Sequence, residues 1–202
     1  MNLDNPNLED LLIACRQGSD DAFRKLFEQY HMRVMSTAYR MCGNIQEAED
    51  VTQDVFLKAF KEIKKFREAA SLFTWLYRIT INLCIDKERK RQRRQKYHEN
   101  VDVDSERITI EEANSNENTR TLDQQMWQDE IQSILQKALS RIKPKFRTVL
   151  VLKDIEGLSY EEAAQAVGCS QGTISSRLNR GRKELKTLLV KMGMGEEYFQ
   201  ER

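Results

Sequence analysis

Residues Leu158–Leu185 read LSYEEAAQAVGCSQGTISSRLNRGRKEL, and the fold turns on this stretch. Ser159 with Glu162 three residues on predicts a capping box that opens a short helix, whose inner face is Ala163, Ala164 and Val167. Such small side chains let a second helix cross close by, Gly168 supplies the turn, and Ser170 is a natural N-cap for that second helix. This is a helix-turn-helix pattern. In the second helix Ile174, Leu178, Gly181, Leu185 and Leu188 fall on one stripe and face the core. Gly172, Ser176, Asn179 and Lys183 then point outward, with Thr173, Ser175 and Arg180 on the shoulders and Arg177 near the core edge. Hydroxyl, amide and guanidinium groups on one face suit the base edges and phosphates of a duplex major groove. Arg177 reads equally well as a phosphate clamp or as a cap on a neighbouring helix.

Upstream of this unit, Trp127, Ile131, Ile134, Leu135, Ala138 and Ile142 recur at helical spacing. Pro144 then stands where a first helical turn tolerates it, and Phe146, Val149, Leu150 and Leu152 carry the apolar pattern toward Gly157. Before these helices lies a stretch of different composition. Glu99 to Glu117 carries Asp102, Asp104, Glu106, Glu111 and Glu112 among Asn and Ser, a linker by composition. It comes after the almost solidly basic run KERKRQRRQK from Lys87 to Lys96, and a second basic cluster holds Arg177, Arg180, Arg182, Lys183 and Lys186. The formal net charge of +1 conceals this pattern: two basic units, each fit to touch a polyanion, flank an acidic tether.

The amino-terminal half adds three features. Residues 8 to 40 predict two amphipathic helices broken at Gly18, Ser19 and Asp20, with Leu11, Leu12, Ala22, Phe23, Leu26, Phe27, Tyr30, Val34, Met35 and Ala38 as core. Asn44 and Glu47 then cap a helix with an apolar face of Ala48, Val51, Val55 and Ala59 and an acidic front of Glu47, Glu49, Asp50, Gln53 and Asp54. That front repels DNA; it suits solvent and the helix dipole, or a basic protein partner. In the third feature, Leu72, Trp75, Leu76, Ile79 and Leu83 form one stripe while Phe73, Tyr77, Ile81 and Cys84 lie opposite, so this helix is apolar nearly all round and buried between neighbours. The basic segment Lys64 to Ser71 precedes it, and positive charge interleaved with aromatics is the pattern of single-stranded nucleic-acid binding.

The 202 residues, 40% hydrophobic and 32% charged with 8 Gly and 2 Pro, predict an all-α protein. The start, MNLDNPNLED, is polar and acidic where a signal peptide would be basic and then apolar, and no run approaches a membrane span, so a cytoplasmic protein without membrane insertion is expected. The four cysteines, Cys15, Cys42, Cys84 and Cys169, are far apart, which predicts no metal site and small buried apolar roles. Histidine occurs only at His31 and His98, and neither a glycine-rich phosphate loop nor HExxH nor GxSxG is present, so catalytic residues and cofactors are not expected. Two alternatives are a stand-alone helix-turn-helix regulator, and an enzyme holding magnesium on Glu49, Asp50 and Asp54.

Three stretches, AYRMCGNIQEAEDVTQDVFLKAF, FREAASLFTWLYRITIN and IKPKFRTVLVLKDIEGLSYEEAAQAVGCSQGTISSRLNRGRKEL, together resemble an extracytoplasmic-function (ECF) sigma factor of the sigma-70 family, in family order and parted by the acidic linker. The resemblance covers nearly the whole chain between residues 10 and 190. It implies a sigma-2-like domain over 1–96, a linker over 97–125, a sigma-4-like domain over 126–192 and a tail over 193–202. It implies an alternative sigma factor that places core RNA polymerase at stress-type promoters, with no covalent chemistry of its own. Glu49, Asp50, Gln53 and Asp54 would meet the β′ clamp helices, and the sigma-4-like domain the β flap. Lys64, Lys65, Phe66, Arg67, Ala69, Ala70, Ser71, Tyr77 and Arg78 would take the single-stranded −10 element. Gln171, Thr173, Ser175, Ser176, Arg177, Asn179 and Arg180 would read the duplex −35 element. An anti-sigma factor is the further partner the resemblance implies.

Overall fold

Capping and glycine placement divide the chain into helices much as the sequence predicts. The computed structural model describes residues 6–66, 71–98 and 122–194; the side chains of 6–7, 95–98 and 122–129, Trp127 among them, lie outside this description. The acidic linker Glu99 to Glu117 and residues 195–202 of the tail lie outside the described residues. Helices α1 (Pro6–Arg16) and α2 (Asp20–Cys42) are parted by Gly18 at φ +89°, and the Ser19 hydroxyl caps α2 by accepting from the Ala22 N–H at 3.3 Å. Gly43 ends α2 in the left-handed region, and Asn44 Oδ1 accepts from the Glu47 N–H at 2.9 Å to open α3 (Ile45–Glu62). A 3-10 turn (Ile63–Lys65) comes next, and then the long α4 (Leu72–His98).

The second half comprises α5 (Leu122–Arg141), α6 (Pro144–Leu150), a wide π-type turn (Val151–Ile155), α7 (Tyr160–Val167) and α8 (Gln171–Lys191). Ser159 and Glu162 form the expected reciprocal capping box. Gly168, at φ +73°, turns the chain from α7 toward α8, whose N-cap is Ser170. No strand occurs among the described residues.

In the first half α2, α3 and α4 pack on one another around Leu26, Val34, Val51, Val55 and Leu76, each fully buried. Each of these side chains contributes about 1.5–3 kcal/mol. Phe27 departs from the expected core: it is 37% exposed and rests edge-on against Phe56 at 4.7 Å. In the second half α8 crosses α6 at Gly181, where a Cβ would lie 3.1 Å and 3.2 Å from Leu150 Cγ and Cδ1 and 3.4 Å from Phe146 Cβ. Gly181→Leu is therefore expected to lower stability by about 2 kcal/mol. Gly181→Ala stays near neutral, because about 1 kcal/mol of helix propensity offsets the tight approach; urea denaturation of both variants checks this.

Two further details of burial differ from expectation. Ala166 is buried and Val167 only half-buried, because α7 lies between α4 on one side and α8 on the other. Leu189 is buried while Leu185 and Leu188 are half-buried, since α8 packs against α5 as well as α6.

The apolar second side of α4 finds its cover in the other half of the chain. Helix α7 packs on α4, while α5, α6 and the π-type turn pack on α2, so the buried residues of both halves join in one hydrophobic cluster. Two polar groupings pin this seam. Arg147, 6% exposed, donates to the Met41 carbonyl of α2 as well as to Ser140 O at 2.9 Å and Ile142 O at 3.1 Å. Glu156, just past the π-type turn, accepts from Thr37 Oγ1 at 3.0 Å and from the Tyr77 hydroxyl, and pairs with Arg40 at 3.5 Å.

Candidate nucleic-acid interface

The exposed face of α8 is set by its own cap and its own core stripe. Ser170 Oγ accepts from the Thr173 N–H at 3.2 Å, which starts the helix, while Ile174, Leu178 and Gly181 turn inward and fix its rotation. Gln171, Ser175, Ser176, Asn179 and Arg180 are left exposed on the other side, with Thr173 and Arg177 half-buried at its margins. Ser176 Oγ donates to Thr173 O at 3.0 Å, so its lone pairs remain open to a partner. Arg180 has no ion-pair or hydrogen-bond partner among the described residues. Arg182 is different: its guanidinium holds Asp154 through two contacts, 2.9 Å and 2.5 Å, and this hydrogen bonding pushes its pKa up. Arg182 thus ties α8 to the π-type turn, a role the sequence had merged into a basic cluster.

The sequence-assigned −10 residues divide into exposed and buried groups. Lys64 and Lys65 are exposed on the 3-10 turn, and Arg78 is exposed on α4. Ser71 is exposed and caps α4, its Oγ accepting from the Thr74 N–H at 3.1 Å. Phe66 is buried against Trp75, with ring centroids 5.2 Å apart, and its carbonyl accepts from Arg16 Nη2 at 3.0 Å. Tyr77 is fully buried beneath Glu156; burial, reinforced by the hydrogen bond to Glu156, pushes its phenol pKa up. Arg67, Ala69 and Ala70 lie outside the described residues.

On α3 the acidic front is intact. Glu49, Asp50, Gln53 and Asp54 are all exposed, while Ala48, Val51, Val55 and Ala59 behind them are fully buried. Asp50 pairs with Lys87 of α4 at 3.2 Å, an exposed contact of small energetic weight. The same face continues into Leu57, 59% exposed, and Phe60, 48% exposed, which the sequence reading passed over. Their signal was available, since at helical spacing they succeed Gln53 and Asp54 on the polar side.

These features define a class: an all-α protein that pairs a helix-turn-helix, polar and cationic on its outer face, with an exposed acidic face on α3. Residues 26–94 match the model for Sigma-70 region 2, and residues 132–185 match that for Sigma-70, region 4. The chain is 36% identical over 176 residues to the ECF RNA polymerase sigma factor SigE of Mycolicibacterium smegmatis, covering 87% of this chain and 64% of that protein. It is 33% identical over 174 residues to the ECF RNA polymerase sigma factor SigW of Bacillus subtilis, covering 86% of this chain and 92% of the relative. Among solved structures it resembles the sigma factor RpoE of Bartonella quintana in complex with the anti-sigma factor NepR, at TM-score 0.65 and 29% identity over 83% of this chain and 96% of that one. CnrH in complex with the cytosolic domain of CnrY shares the fold at TM-score 0.62 and 23% identity, covering 90% and 96%. The chain belongs to the ECF group of the sigma-70 family and is an alternative sigma factor. Members of this family are regulatory transcription initiation factors and not enzymes. Among the described residues, no helix is long and apolar enough to cross a membrane.

Proposed function

We propose that this chain binds core RNA polymerase through α3 and delivers it to a two-part promoter. In this reading Glu49, Asp50, Gln53 and Asp54, extended by exposed Leu57 and Phe60, face the β′ clamp helices. Carboxylates steer the approach and the apolar pair supplies buried contact. Gln171, Thr173, Ser175, Ser176, Arg177, Asn179 and Arg180 read the duplex −35 element, and the carboxy-terminal half also meets the β flap. Lys64, Lys65, Phe66, Arg67, Ala69, Ala70, Ser71, Tyr77 and Arg78 serve the melted −10 strand. The functional domains run over 1–96 and 126–192, with 97–125 as linker and 193–202 as tail. The protein works in the cytoplasm, in a stress or envelope response, under an anti-sigma factor.

The observation that carries this reading is the exposed face of α8, polar and cationic where the opposite side is sealed by Ile174, Leu178 and Gly181. Packing of α7 on α4 adds a requirement: with Tyr77 buried, the seam must open before that side chain reaches a strand. Run-off transcription with purified core on a pool of random promoters tests the whole. New starts preceded by a shared two-part element are expected; no new starts with competent core would favour a stand-alone regulator. Arg180→Ala is expected to cost about 1–3 kcal/mol at the −35 element. An equal loss on every sequence in a binding titration would make Arg180 a phosphate contact instead.

A further inference from the structure

We propose that Cys42 and Cys84 form a peroxide-responsive dithiol, which closes to an intramolecular disulfide beneath the seam between the two halves of the chain. Packing of α2 against α4 brings these two residues together across 42 positions of sequence, with their Sγ atoms 3.7 Å apart. A covalent S–S bond spans about 2.0 Å, so a modest adjustment closes it. Cys42 is the last residue of α2, next to left-handed Gly43, and the end of a helix can shift where an interior turn resists. Both thiols are free.

The surroundings give the two thiols different tasks. Cys42 is half-buried and within reach of solvent, while Cys84 is 3% exposed. The hydrogen bond shared between Cys42 and Cys84 holds the Cys42 thiol below its usual range; burial and Glu47 oppose this, and Lys87 and Arg147 assist it. Cys84 is pushed up by the same hydrogen bond, by burial and by the charge on Cys42. A half-buried thiol in contact with a second, fully buried thiol is the arrangement of a redox-sensing pair. The remaining cysteines lack it: Cys15 is buried with its thiol pushed up by burial, and Cys169 lies on the turn between α7 and α8.

The chemistry balances with hydrogen peroxide as oxidant. The Cys42 thiolate attacks one peroxide oxygen, the O–O bond breaks, and the departing hydroxide takes a proton to become water, leaving a sulfenic acid. Cys84 sulfur then attacks Cys42 sulfur, the S–O bond breaks, and the leaving hydroxide takes the Cys84 proton as a second water. The thiol pair loses two electrons and two protons, and a dithiol reductant reverses the step. The affected turn is also the one the second half rests on. Met41 O accepts from Arg147, and a Cβ added at Gly43 would lie 3.7 Å from both Gln136 Nε2 and Ser140 Cβ of α5.

The test treats the reduced full-length chain with hydrogen peroxide, blocks free thiols with N-ethylmaleimide and maps peptides by mass. A Cys42–Cys84 linked peptide is expected, about 2 Da lighter than the two thiols and restored by dithiothreitol. Cys84→Ser should instead accumulate a dimedone-reactive sulfenic acid at Cys42, with Cys84→Ala as a second variant should serine disturb the core. Cys42→Ser should yield neither link nor adduct. Alkylatable Cys42 and Cys84 after peroxide has consumed Cys169, or a dimedone adduct at Cys84 ahead of Cys42, would overturn the proposal.

Discussion

Arg147→Ala is expected to lower the stability of the chain by about 3 kcal/mol, read as a fall in urea midpoint. The guanidinium is 6% exposed and serves three carbonyls: Ser140 and Ile142 at the end of α5, and Met41 at the end of α2. Its planar fork reaches all three, which the single ammonium of lysine cannot do. Burial lowers the Arg147 pKa, yet a guanidinium stays charged at every pH a folded protein meets. Removing it strands the helix-end carbonyls and opens a cavity at the seam together. Arg147→Met separates these effects: it keeps most of the packed stem and loses only the hydrogen bonds. A methionine variant as stable as the parent would show that packing, and not carbonyl capping, is what Arg147 supplies.

Glu156→Ala is expected to shift the chain toward an open arrangement by about 2 kcal/mol, roughly 30-fold in the equilibrium. The substitution removes the acceptor of the Tyr77 hydroxyl and the partner of Arg40, leaving the buried phenol without its carboxylate, while Thr37 Oγ1 keeps its bond to Arg33 O at 2.9 Å. Because Tyr77 belongs to the proposed −10 set, the variant should bind a single-stranded −10 oligonucleotide more tightly in the absence of polymerase. Tyr77→Phe within a double-mutant cycle isolates the phenol–carboxylate term. Additive effects, or unchanged oligonucleotide affinity, would show that Glu156 does not restrain this helix.

What could be read from the sequence was what local spacing determines. The capping box of Ser159 and Glu162, the stripe of Ile174, Leu178 and Gly181, and the exposure of Ser175, Ser176, Asn179 and Arg180 all come from a 3.6-residue period within one segment. The long-range polar contacts were not legible, because each joins residues remote in sequence: Arg147 to Met41 across 106 positions and Tyr77 to Glu156 across 79 in the seam, and Cys42 to Cys84 across 42 within the first half. Tyr77 illustrates the boundary. Its place on a helix apolar nearly all round was visible, but the carboxylate that receives its hydroxyl was not. Leu57 and Phe60 differ again: their residue type argues for burial, while their helical spacing puts them on the exposed acidic front, and the spacing prevails.

The π-type turn at Val151–Ile155 makes the length of this segment as informative as its composition. There the Glu156 N–H bonds back five residues to Val151 O at 2.9 Å, one residue more than an α-helical ring contains. Removing a residue would let the helix run on regularly from α6, and everything downstream would turn by about 100°. Glu156 would then leave Tyr77, and Asp154 would leave Arg182. Among homologues, the number of residues between Phe146 and Glu156 is expected to stay fixed even where their identities drift, while length variation gathers in the acidic stretch that joins the two halves.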